Sequence, residues 1–464
     1  MTESVRHRLA LLASVGGAMI VALDGTVLIV AQPSLQRGLG ASMAQVQWTN
    51  TGYLLAVAAL LVIAGRLGDR YGHRRLLFAG VLGFAAASAG IALAPGVGWV
   101  IALRVAQGVF GALLQPATIA LLRLAYPAER LGRAIAVRTS AIGVAAATGP
   151  LLGGVLVTQL GWRAVFVVNI PIALAIAALT LAVRVPAPDR AGSQRLDLTG
   201  AALLAGTLTL LVHTLVALPT RGWTTPTLLE LTATAAVAAT LVVRERRSAQ
   251  PIVPPAVARS LPVTASMAIL LLVTGGLFGA LFVATFYLQD TLGLDPLAGG
   301  LLVLPMTTLM VAGAPVAAAA LRRYGPRHTA IAGTVLLVLG IAALSRLGPG
   351  GVSVATGVSF AVLGAGFATV MVTATGTVVG DAPPGYAGVV GGLKQTAMNI
   401  GPTLGIAVAT SVMLIGSPAP AIGPALLVLT ALAALALLPA SLLPGLSPRA
   451  GAKALEGDPP RPLA

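Results

Sequence analysis

The chain has 464 residues, of which 57% are hydrophobic and only 9% are charged, and its mean hydropathy is +0.94. Soluble globular proteins carry about 25% charged residues, so this composition excludes an ordinary soluble protein and indicates a chain that mostly faces lipid. The formal charge of +16 does not indicate nucleic acid binding, because the basic residues cluster at the ends of apolar runs. The lack of cysteine excludes disulfides and thiol catalysis, and the four histidines are too far apart in sequence for a metal motif.

Fourteen apolar segments follow one another along the chain, each near the ~20 residues that a helix needs to cross the hydrocarbon of a bilayer. In lipid the backbone must satisfy its own hydrogen bonds, so each segment is predicted to be a helix. The first apolar run is too long for a signal peptide and is expected to stay as the first span. The sequence therefore predicts an all-α polytopic membrane protein with fourteen transmembrane helices. The predicted spans are 9–32, 46–65, 76–94, 99–122, 134–158, 163–183, 197–218, 225–243, 262–289, 297–320, 328–346, 352–379, 387–415 and 421–443.

The distribution of positive charge predicts the orientation in the membrane. An even number of spans places both termini on one side, and 23 of the 29 Lys and Arg residues then fall on that side. Four fall on the opposite side, namely Arg37, Arg163, Arg221 and Arg346, and two, Arg104 and Lys394, fall inside spans. Because cytoplasmic loops carry the excess of positive residues, both termini are predicted to be cytoplasmic, in a multi-pass protein of the cell (inner) membrane.

The chain repeats itself at an offset of 252 or 253 residues, which predicts two related halves. The matching stretches are Leu35-Gln36 with Leu288-Gln289, Arg70-Tyr71-Gly72 with Arg323-Tyr324-Gly325, and Gly149-Pro150 with Gly401-Pro402. Two related six-helix halves are an architecture of secondary transporters. We predict a first half over 1–183, linkers and two inserted transmembrane helices over 184–261, a second half over 262–443 and a cytoplasmic tail over 444–464.

A basic, glycine-punctuated loop separates the second and third predicted helices. It reads Gly65-Arg-Leu-Gly-Asp69-Arg70-Tyr-Gly72-His-Arg74-Arg75, and the equivalent loop of the second half has Arg322 where this one has Asp69. The carboxylate of Asp69 can pair with Arg70 or Arg74, or lie at a helix N-terminus, where the helix dipole favours an anion. We call Gly65–Arg75 the loop motif.

These residues resemble the signature of the major facilitator superfamily between its second and third helices. Leu103-Arg104…Gln107-Gly108 resembles the fourth-helix motif of that superfamily, and Thr148-Gly149-Pro150…Gly153-Gly154 resembles the fifth-helix motif of its antiporters. Stretches 23–33 and 161–171 look like signatures of the fourteen-spanner drug:proton antiporter family, although Ile29 and Gln32 depart from that pattern. The resemblance implies the major facilitator fold. It also implies a conformational gate at Gly65, Asp69, Arg70, Gly72 and Arg74, which closes the cytoplasmic side, and an antiporter role for Gly149, Pro150, Gly153 and Gly154.

Asp24 is the acid that lies deepest in a predicted span. Counting at ~1.5 Å per residue from Arg8 places it about 24 Å from the cytoplasmic end, at a depth similar to that of Arg104. An acid at such a depth is costly and indicates function, here proton coupling, with a packing role tied to hydroxyls such as that of Thr26 as the alternative. Arg104, Gln107 and Gln115 share one helix face, which is expected to line a hydrated cavity unless Arg104 snorkels to the interface. We hypothesise that Arg104 holds Asp24 charged in one state and releases it in another.

The fifth-helix motif also has a purely structural interpretation. Small residues such as Gly149, Pro150, Gly153 and Gly154 form ordinary packing faces in membrane helices. Lys394 lies about 10 Å from the cytoplasmic end of its predicted helix, so its side chain is expected to snorkel to the interface.

The sequence thus predicts a proton-coupled exporter of amphipathic or hydrophobic solutes, with Asp24 as a counter-charge for cationic ones. The expected partners are a small-molecule substrate, protons and the lipid bilayer, without nucleic acid, cofactor or metal, and the chain is expected to act as a monomer. An importer or facilitator of a metabolite is the alternative, and a membrane-embedded enzyme or scaffold is a remote one. Catalysis is disfavoured because the chain has no acid pair, histidine cluster or cysteine that would carry it.

Overall fold

Helices form all the regular structure in the part of the chain that the computed structural model describes. That part comprises residues 3–183, 198–248, 251, 255–346, 354–383, 387–415 and 421–445. Eleven helices among these residues are long and apolar enough to cross a membrane. The predicted linker over 184–196 and most of the predicted tail over 444–464 lie outside the described residues.

The first half of the molecule consists of seven helices. A capping box begins α2, in which the Ser42 side chain accepts from the Gln45 backbone N–H and the Gln45 side chain accepts from the Ser42 backbone N–H. The predicted span 163–183 is divided between two helices. The bounds are α1 Glu3–Leu39, α2 Met43–Tyr71, α3 His73–Ala92, α4 Val97–Ala125, α5 Ala128–Leu160, α6 Ala164–Val167 and α7 Asn169–Ala182.

The second half follows after a pair of inserted helices. The first inserted helix, α8 Leu198–Arg221, packs against α2 of the first half and against α14 Ala387–Met413 of the second, where the Ser411 hydroxyl donates to the Leu215 carbonyl. The bounds are α8 Leu198–Arg221, α9 Thr225–Arg247, α10 Pro255–Ala258, α11 Leu261–Phe286, a π-helical turn Tyr287–Thr291, α12 Pro296–Leu344, α13 Val354–Gly380, α14 Ala387–Met413, α15 Ile422–Ala434 and α16 Leu437–Ser441.

Two equivalent glycines break the helices at equivalent turns of the two halves. Gly72 separates α2 from α3 with φ of 95°, and Gly325 interrupts α12 with φ of 76°. Positive φ is readily adopted only by glycine, which explains why both repeats keep it there. The break divides α12 between the predicted spans 297–320 and 328–346.

The turns define two faces of the bundle. The terminal face carries the N-terminus and the turns at Gly72 and Gly325; the distal face carries the positive-φ turns at Gly40, Gly161 and Gly293. Each half packs mainly on itself, α1 against α5 and α2 against α4 in the first, α11 against α14 and α12 against α13 in the second.

The two halves meet at the distal face. Arg37 forms an ion pair with Asp290, and the Gln289 side chain donates to the Val30 carbonyl at 2.9 Å. Along α5 the contact reaches deeper, because a Cβ added at Gly300 would lie 2.6 Å from the Pro150 carbonyl oxygen. Pro150 is ten residues, or about 15 Å of helix, from the distal end of α5. The distal ends of the halves are therefore closed against each other.

Candidate functional site

A buried ion pair joins α1 and α4 inside the first half. The Arg104 Nη1 atom lies 2.6 Å from Asp24 Oδ2, and the side chains are 0% and 2% exposed, respectively. The two charged groups face each other in the interior of the first half. Burying a single charge in such a place would be very costly, so the pairing accounts for the presence of both.

Two amide side chains complete the contacts of the Asp24 carboxylate. The Asn169 Nδ2 group on α7 donates to Asp24 Oδ1 at 2.8 Å, and the Gln107 Nε2 group on α4 lies 3.4 Å from the same oxygen. Gln107 also donates to the Ser88 hydroxyl on α3 at 2.8 Å and accepts from Arg104 Nη1 at 2.6 Å. The set Asp24, Arg104, Gln107, Asn169 and Ser88 is called the acid network below.

Helix α2 covers one side of the acid network. The Arg104 Nε–H donates to the Thr49 carbonyl at 2.9 Å, and the guanidinium lies 4.3 Å from the centre of the Tyr53 ring. Gly108 and Gly111 allow this approach, since a Cβ at Gly108 would lie 2.5 Å from the Tyr53 carbonyl oxygen and one at Gly111 2.8 Å from the Tyr53 hydroxyl. Small residues at these two positions let α4 pack directly on the backbone of α2.

Both oxygens of the Asp24 carboxylate accept hydrogen bonds, one from the Arg104 guanidinium and one from the Asn169 amide. Arg104 and Gln107, which were predicted to line a hydrated cavity, are both fully buried in this conformation. The structure brings Asp24, Arg104 and Gln107 together, while Thr26 bonds its hydroxyl to the carbonyls of Ala22 and Leu23 in its own helix.

Four residues at the site, Asn169, Tyr53, Ser88 and Thr49, are not among the site residues predicted from the sequence. Asn169 lies in the stretch 161–171 that resembles an antiporter signature, which was the available signal for a role. Tyr53, Ser88 and Thr49 are ordinary residues of apolar helices, so only the three-dimensional structure could place them at the site.

The glycines of α5 hold that helix against α1 beside Asp24. A Cβ at Gly149 would lie 1.9 Å from the Thr26 hydroxyl oxygen, and one at Gly153 would lie 3.0 Å from the Val27 carbonyl oxygen. One residue further, a Cβ at Gly154 would lie 2.7 Å from the Pro296 carbonyl oxygen in the second half. Helix α5 thus contacts both the helix that carries Asp24 and the opposite half.

A second polar layer lies nearer the terminal face. Gln115 is eleven residues from Arg104 on α4, about 16 Å along the helix, so it is not part of the acid network. At this level the Ser14 hydroxyl donates to the Thr118 carbonyl at 2.7 Å, and Arg138 Nη2 donates to the Thr118 hydroxyl at 2.8 Å.

The loop motif forms the turn between α2 and α3 on the terminal face. A Cβ added at Gly68 would lie 2.2 Å from the His73 ring, and a Cβ added at Gly65 would lie 3.9 Å from the Pro116 Cβ. Arg70 is exposed and lies 5.4 Å from the Tyr71 ring centre, and Arg74 is half-buried. The side chain of Asp69 lies outside the described residues, so its predicted pairing stays a prediction.

Comparison with known proteins supplies a family match and named relatives. The family model described as Major Facilitator Superfamily matches residues 15–406. The chain is 41% identical over 399 residues to the tetracenomycin C resistance and export protein of Streptomyces glaucescens, covering 86% of this chain and 74% of that one. It is 36% identical over 404 residues to a puromycin resistance protein of Streptomyces alboniger, covering 85% and 79%. In structure it resembles an inward open xylose transporter, XylE of E. coli, with a TM-score of 0.64 at 15% identity, over 95% of this chain and 97% of that one.

Proposed function

The chain belongs to the major facilitator superfamily, and we propose that it is a drug exporter that drives efflux by proton antiport. Two relatives at 41% and 36% identity are named for resistance to, or export of, antibiotics, which supports an amphipathic or hydrophobic small molecule as the cargo. The protein is a transporter and not an enzyme. The proposed cycle involves the solute, protons and the bilayer, needs no cofactor, and is completed by a single copy of the chain.

We propose that the chain has fourteen transmembrane helices and that it is of the fourteen-spanner drug:proton antiporter type. Eleven described helices qualify by length and composition, α12 holds two predicted spans on either side of Gly325, and α8 includes a shorter apolar stretch, Ala202–Leu218. Helix α2 is the remaining candidate, with 29 residues from Met43 to Tyr71. The division into two six-helix halves, residues 1–183 and 262–443, with an inserted pair between them is part of the same proposal.

The terminal face is proposed to be cytoplasmic. Described cations at that face include Arg70, Arg74 and Arg75 of the loop motif and Arg322, Arg323 and Arg327 around the equivalent turn. Among the described residues the distal face carries fewer cations, namely Arg37, Arg163, Arg221 and Arg346, and the positive-inside rule then supports this orientation. Because the contacts named above close the distal face, we propose that the solute pathway of this state leads to the cytoplasm.

The observation that carries the coupling mechanism is the buried contact between Asp24 and Arg104 at 2.6 Å. In this state Asp24 accepts hydrogen bonds from Arg104 and Asn169, and we assign it to the step of the cycle that follows release of the proton toward the cytoplasm. When the halves rock to open the distal face, Arg104 separates from Asp24 and the carboxylate accepts a proton from the outer side. Proton release before solute uptake from the cytoplasm is the order that antiport requires.

Helix α5 is proposed to transmit the change between the halves and Asp24. Gly149 packs on Thr26, two residues from Asp24, and Gly154 packs on Pro296 in the second half. Movement of the second half away from Gly154 therefore also shifts the surface that supports the Asp24 segment of α1. This gives the antiporter motif a physical role beyond general packing.

Reconstituted transport tests the proposal. Purified protein in proteoliposomes should move a fluorescent drug such as rhodamine 6G against its gradient when an opposing pH gradient is imposed, with proton movement recorded by an internal pH dye. Asp24→Asn should abolish proton-driven transport. Solute movement down its own gradient without any proton flux would favour the facilitator instead and contradict antiport.

A further inference from the structure

Two aromatic rings lie over the guanidinium of Arg104 in the first half. The Arg104 Cζ atom is 4.3 Å from the centre of the Tyr53 ring on α2 and 5.9 Å from the centre of the Phe166 ring on α6. Both distances are within the ~6 Å over which the face of an aromatic ring attracts a cation. Tyr53 is 2% exposed and Phe166 is fully buried, so the attraction acts in a region of low dielectric, where it is strong.

Hydrogen bonds engage only part of the Arg104 guanidinium. Its Nε–H donates to the Thr49 carbonyl and its Nη1 group donates to Asp24 and Gln107. Its Nη2 group is buried and has no hydrogen-bond partner among the described residues, and the same holds for the hydroxyl of Tyr53. Tyr53 therefore contacts Arg104 through the face of its ring and not through a hydrogen bond.

Helix α4 packs closely around the hydroxyl end of the Tyr53 ring. A Cβ added at Gly111 would lie 2.8 Å from the Tyr53 hydroxyl oxygen and 3.4 Å from the Cε2 and Cζ atoms of the ring. Only the contact with the hydroxyl is much shorter than an ordinary van der Waals distance. The glycine at this position therefore lets the ring lie over Arg104, and a larger residue would displace the ring without changing any charged group.

The attraction of the ring is strongest when Asp24 is protonated. In the ion-paired state seen here, the charge of Arg104 is offset by the Asp24 carboxylate at 2.6 Å. A protonated Asp24 is neutral, whereas Arg104 keeps its charge, because a guanidinium does not lose its proton in proteins. A buried charge without its counter-ion is costly, and the face of the ring then attracts the cation alone. The ring thus stabilises the protonated state more than the ion-paired state.

Neutral groups make up the rest of the described surroundings of Arg104. The ionisable groups in contact with it are the carboxyl of Asp24 on α1 and the phenol of Tyr53 on α2, and its other described contacts are amide, carbonyl and aromatic groups. Arg163, at the start of α6, directs its guanidinium elsewhere and donates to the Ala92 carbonyl at 3.1 Å. Protonation of Asp24 therefore leaves Arg104 with the rings and neutral groups around it.

We propose that Tyr53, with a smaller contribution from Phe166, is a positioning residue for proton coupling, and that its ring holds the Arg104 cation while Asp24 is protonated. This rests on the proposed antiport through Asp24. Without the ring, Asp24 accepts a proton only from a more acidic outer side. The steps that move the solute without a proton do not depend on the ring.

Transport by the purified protein in proteoliposomes tests the role of the ring. Proton-driven movement of rhodamine 6G is recorded at a fixed pH difference while the pH values of both sides are lowered together. In Tyr53→Leu the pH of half-maximal rate should shift to the acid side by about one unit, which is tenfold in proton concentration, and Phe166→Leu should shift it less. Exchange of labelled for unlabelled dye at equal concentrations needs no proton movement and should change much less.

Phe360→Leu is the matched control for loss of a buried ring. Phe360 is fully buried on α13 in the second half, away from Arg104. Its replacement should leave the pH dependence of transport unchanged. A shift as large as that of Tyr53→Leu would show that any lost ring has this effect and would overturn the proposal.

Two further variants separate the ring from its hydroxyl and from folding. Tyr53→Phe keeps the ring and removes the unpartnered hydroxyl, so it should retain the pH dependence of the wild type. Gly111→Ala should displace the ring and shift the pH dependence to the acid side. Gly111→Ala combined with Tyr53→Phe should restore it, because the contact at 2.8 Å involves the hydroxyl. If Tyr53→Phe is impaired as much as Tyr53→Leu, the hydroxyl and not the ring has the role, and the proposal is overturned.

Failure of this inference is distinguishable from failure of the proposed function. If the wild type exports rhodamine 6G in response to a pH gradient and Tyr53→Leu keeps the same pH dependence, antiport stands and the role of the ring is excluded. Equal loss of proton-driven transport and of dye exchange at every pH would indicate a general defect and would also contradict the role. If the wild type moves no dye under a pH gradient, the proposed function itself fails.

Discussion

Arg37 and Asp290 occupy equivalent positions in the two repeats, 253 residues apart, and form an ion pair across the distal seam. Each follows a Leu-Gln pair and precedes a turn with a positive-φ glycine, Gly40 in the first half and Gly293 in the second. The two repeats therefore meet at corresponding residues, and opposite charges at that position make the contact attractive. We expect the pair to break when the distal face opens.

Reversing one member of this pair should open the distal face. Asp290→Arg would place two arginines together, whereas the exchange Arg37→Asp with Asp290→Arg restores the attraction. Because both side chains are substantially exposed, the pair contributes modestly, about 0–1 kcal/mol for ordinary surface pairs. Spin labels on cysteines introduced at Leu93 and Ile415, both exposed at the distal face, would measure the opening in a chain without native cysteine. Equal label-to-label distances in the wild type, in Asp290→Arg and in the double exchange would contradict a role for the pair in closing the distal face.

Gly154→Ala should disfavour the distal-closed state. Its new Cβ would lie 2.7 Å from the Pro296 carbonyl oxygen and 2.9 Å from the Leu297 Cα, both backbone atoms of the opposite half. Overpacking of this kind costs about 1–3 kcal/mol, and opening of the distal face relieves it. The same label pair should report a larger open population, and drug export should fall.

Gly143→Ala is the matched control for Gly154→Ala, because a Cβ at Gly143 of the same helix meets nothing within 4 Å. Export by this variant should stay close to wild type. A Gly154→Ala protein that exports as well as Gly143→Ala would show that the seam does not close as tightly during transport as in this structure.

The helical fold of this family was predictable from the sequence because it depends on signals that are local along the chain. Apolar length marked the helices, and the predicted spans 46–65 and 99–122 fall within α2 and α4. The all-helical major facilitator fold is confirmed, whereas the count of fourteen spans remains a proposal. Depth counted along α1 and α4 placed Asp24 and Arg104 at one level, and the structure shows them in contact.

The parts that depend on distant helices were not predictable. Asn169 resembles many polar residues that pack between helices, and only the approach of α7 to α1 brings it to Asp24. Arg138 lies four residues inside the predicted span 134–158, and only the structure shows that α5 directs its guanidinium to the Thr118 hydroxyl on α4. Such contacts depend on how each helix is rotated about its own axis. Because this sequence has few polar residues, the pattern of polar and apolar positions does not define that rotation.

Asp69→Asn in the loop motif should slow the transport cycle. The resemblance gives Asp69 a role in holding the terminal side closed, and that contact forms in the state opposite to the one seen here. Loss of its charge should lower the turnover rate by roughly tenfold, as expected for about 1.4 kcal/mol on a barrier, with little change in drug affinity. Asp381→Asn removes an exposed acid from the same face and is the control. Unchanged turnover in Asp69→Asn, measured beside dye binding, would exclude the latch.

Asp24→Asn should damage both stability and coupling, and a second substitution should separate the two effects. Alone it leaves the Arg104 guanidinium buried without its counter-ion, and breaking one side of a buried pair costs about 3–5 kcal/mol. The double variant Asp24→Asn with Arg104→Gln removes both charges, so thermal stability in detergent should recover most of the loss. Proton-driven transport should not recover, because no group remains at this position that gains and loses a proton. Recovery of antiport together with stability would mean that Asp24 serves the fold alone and that the coupling site lies elsewhere.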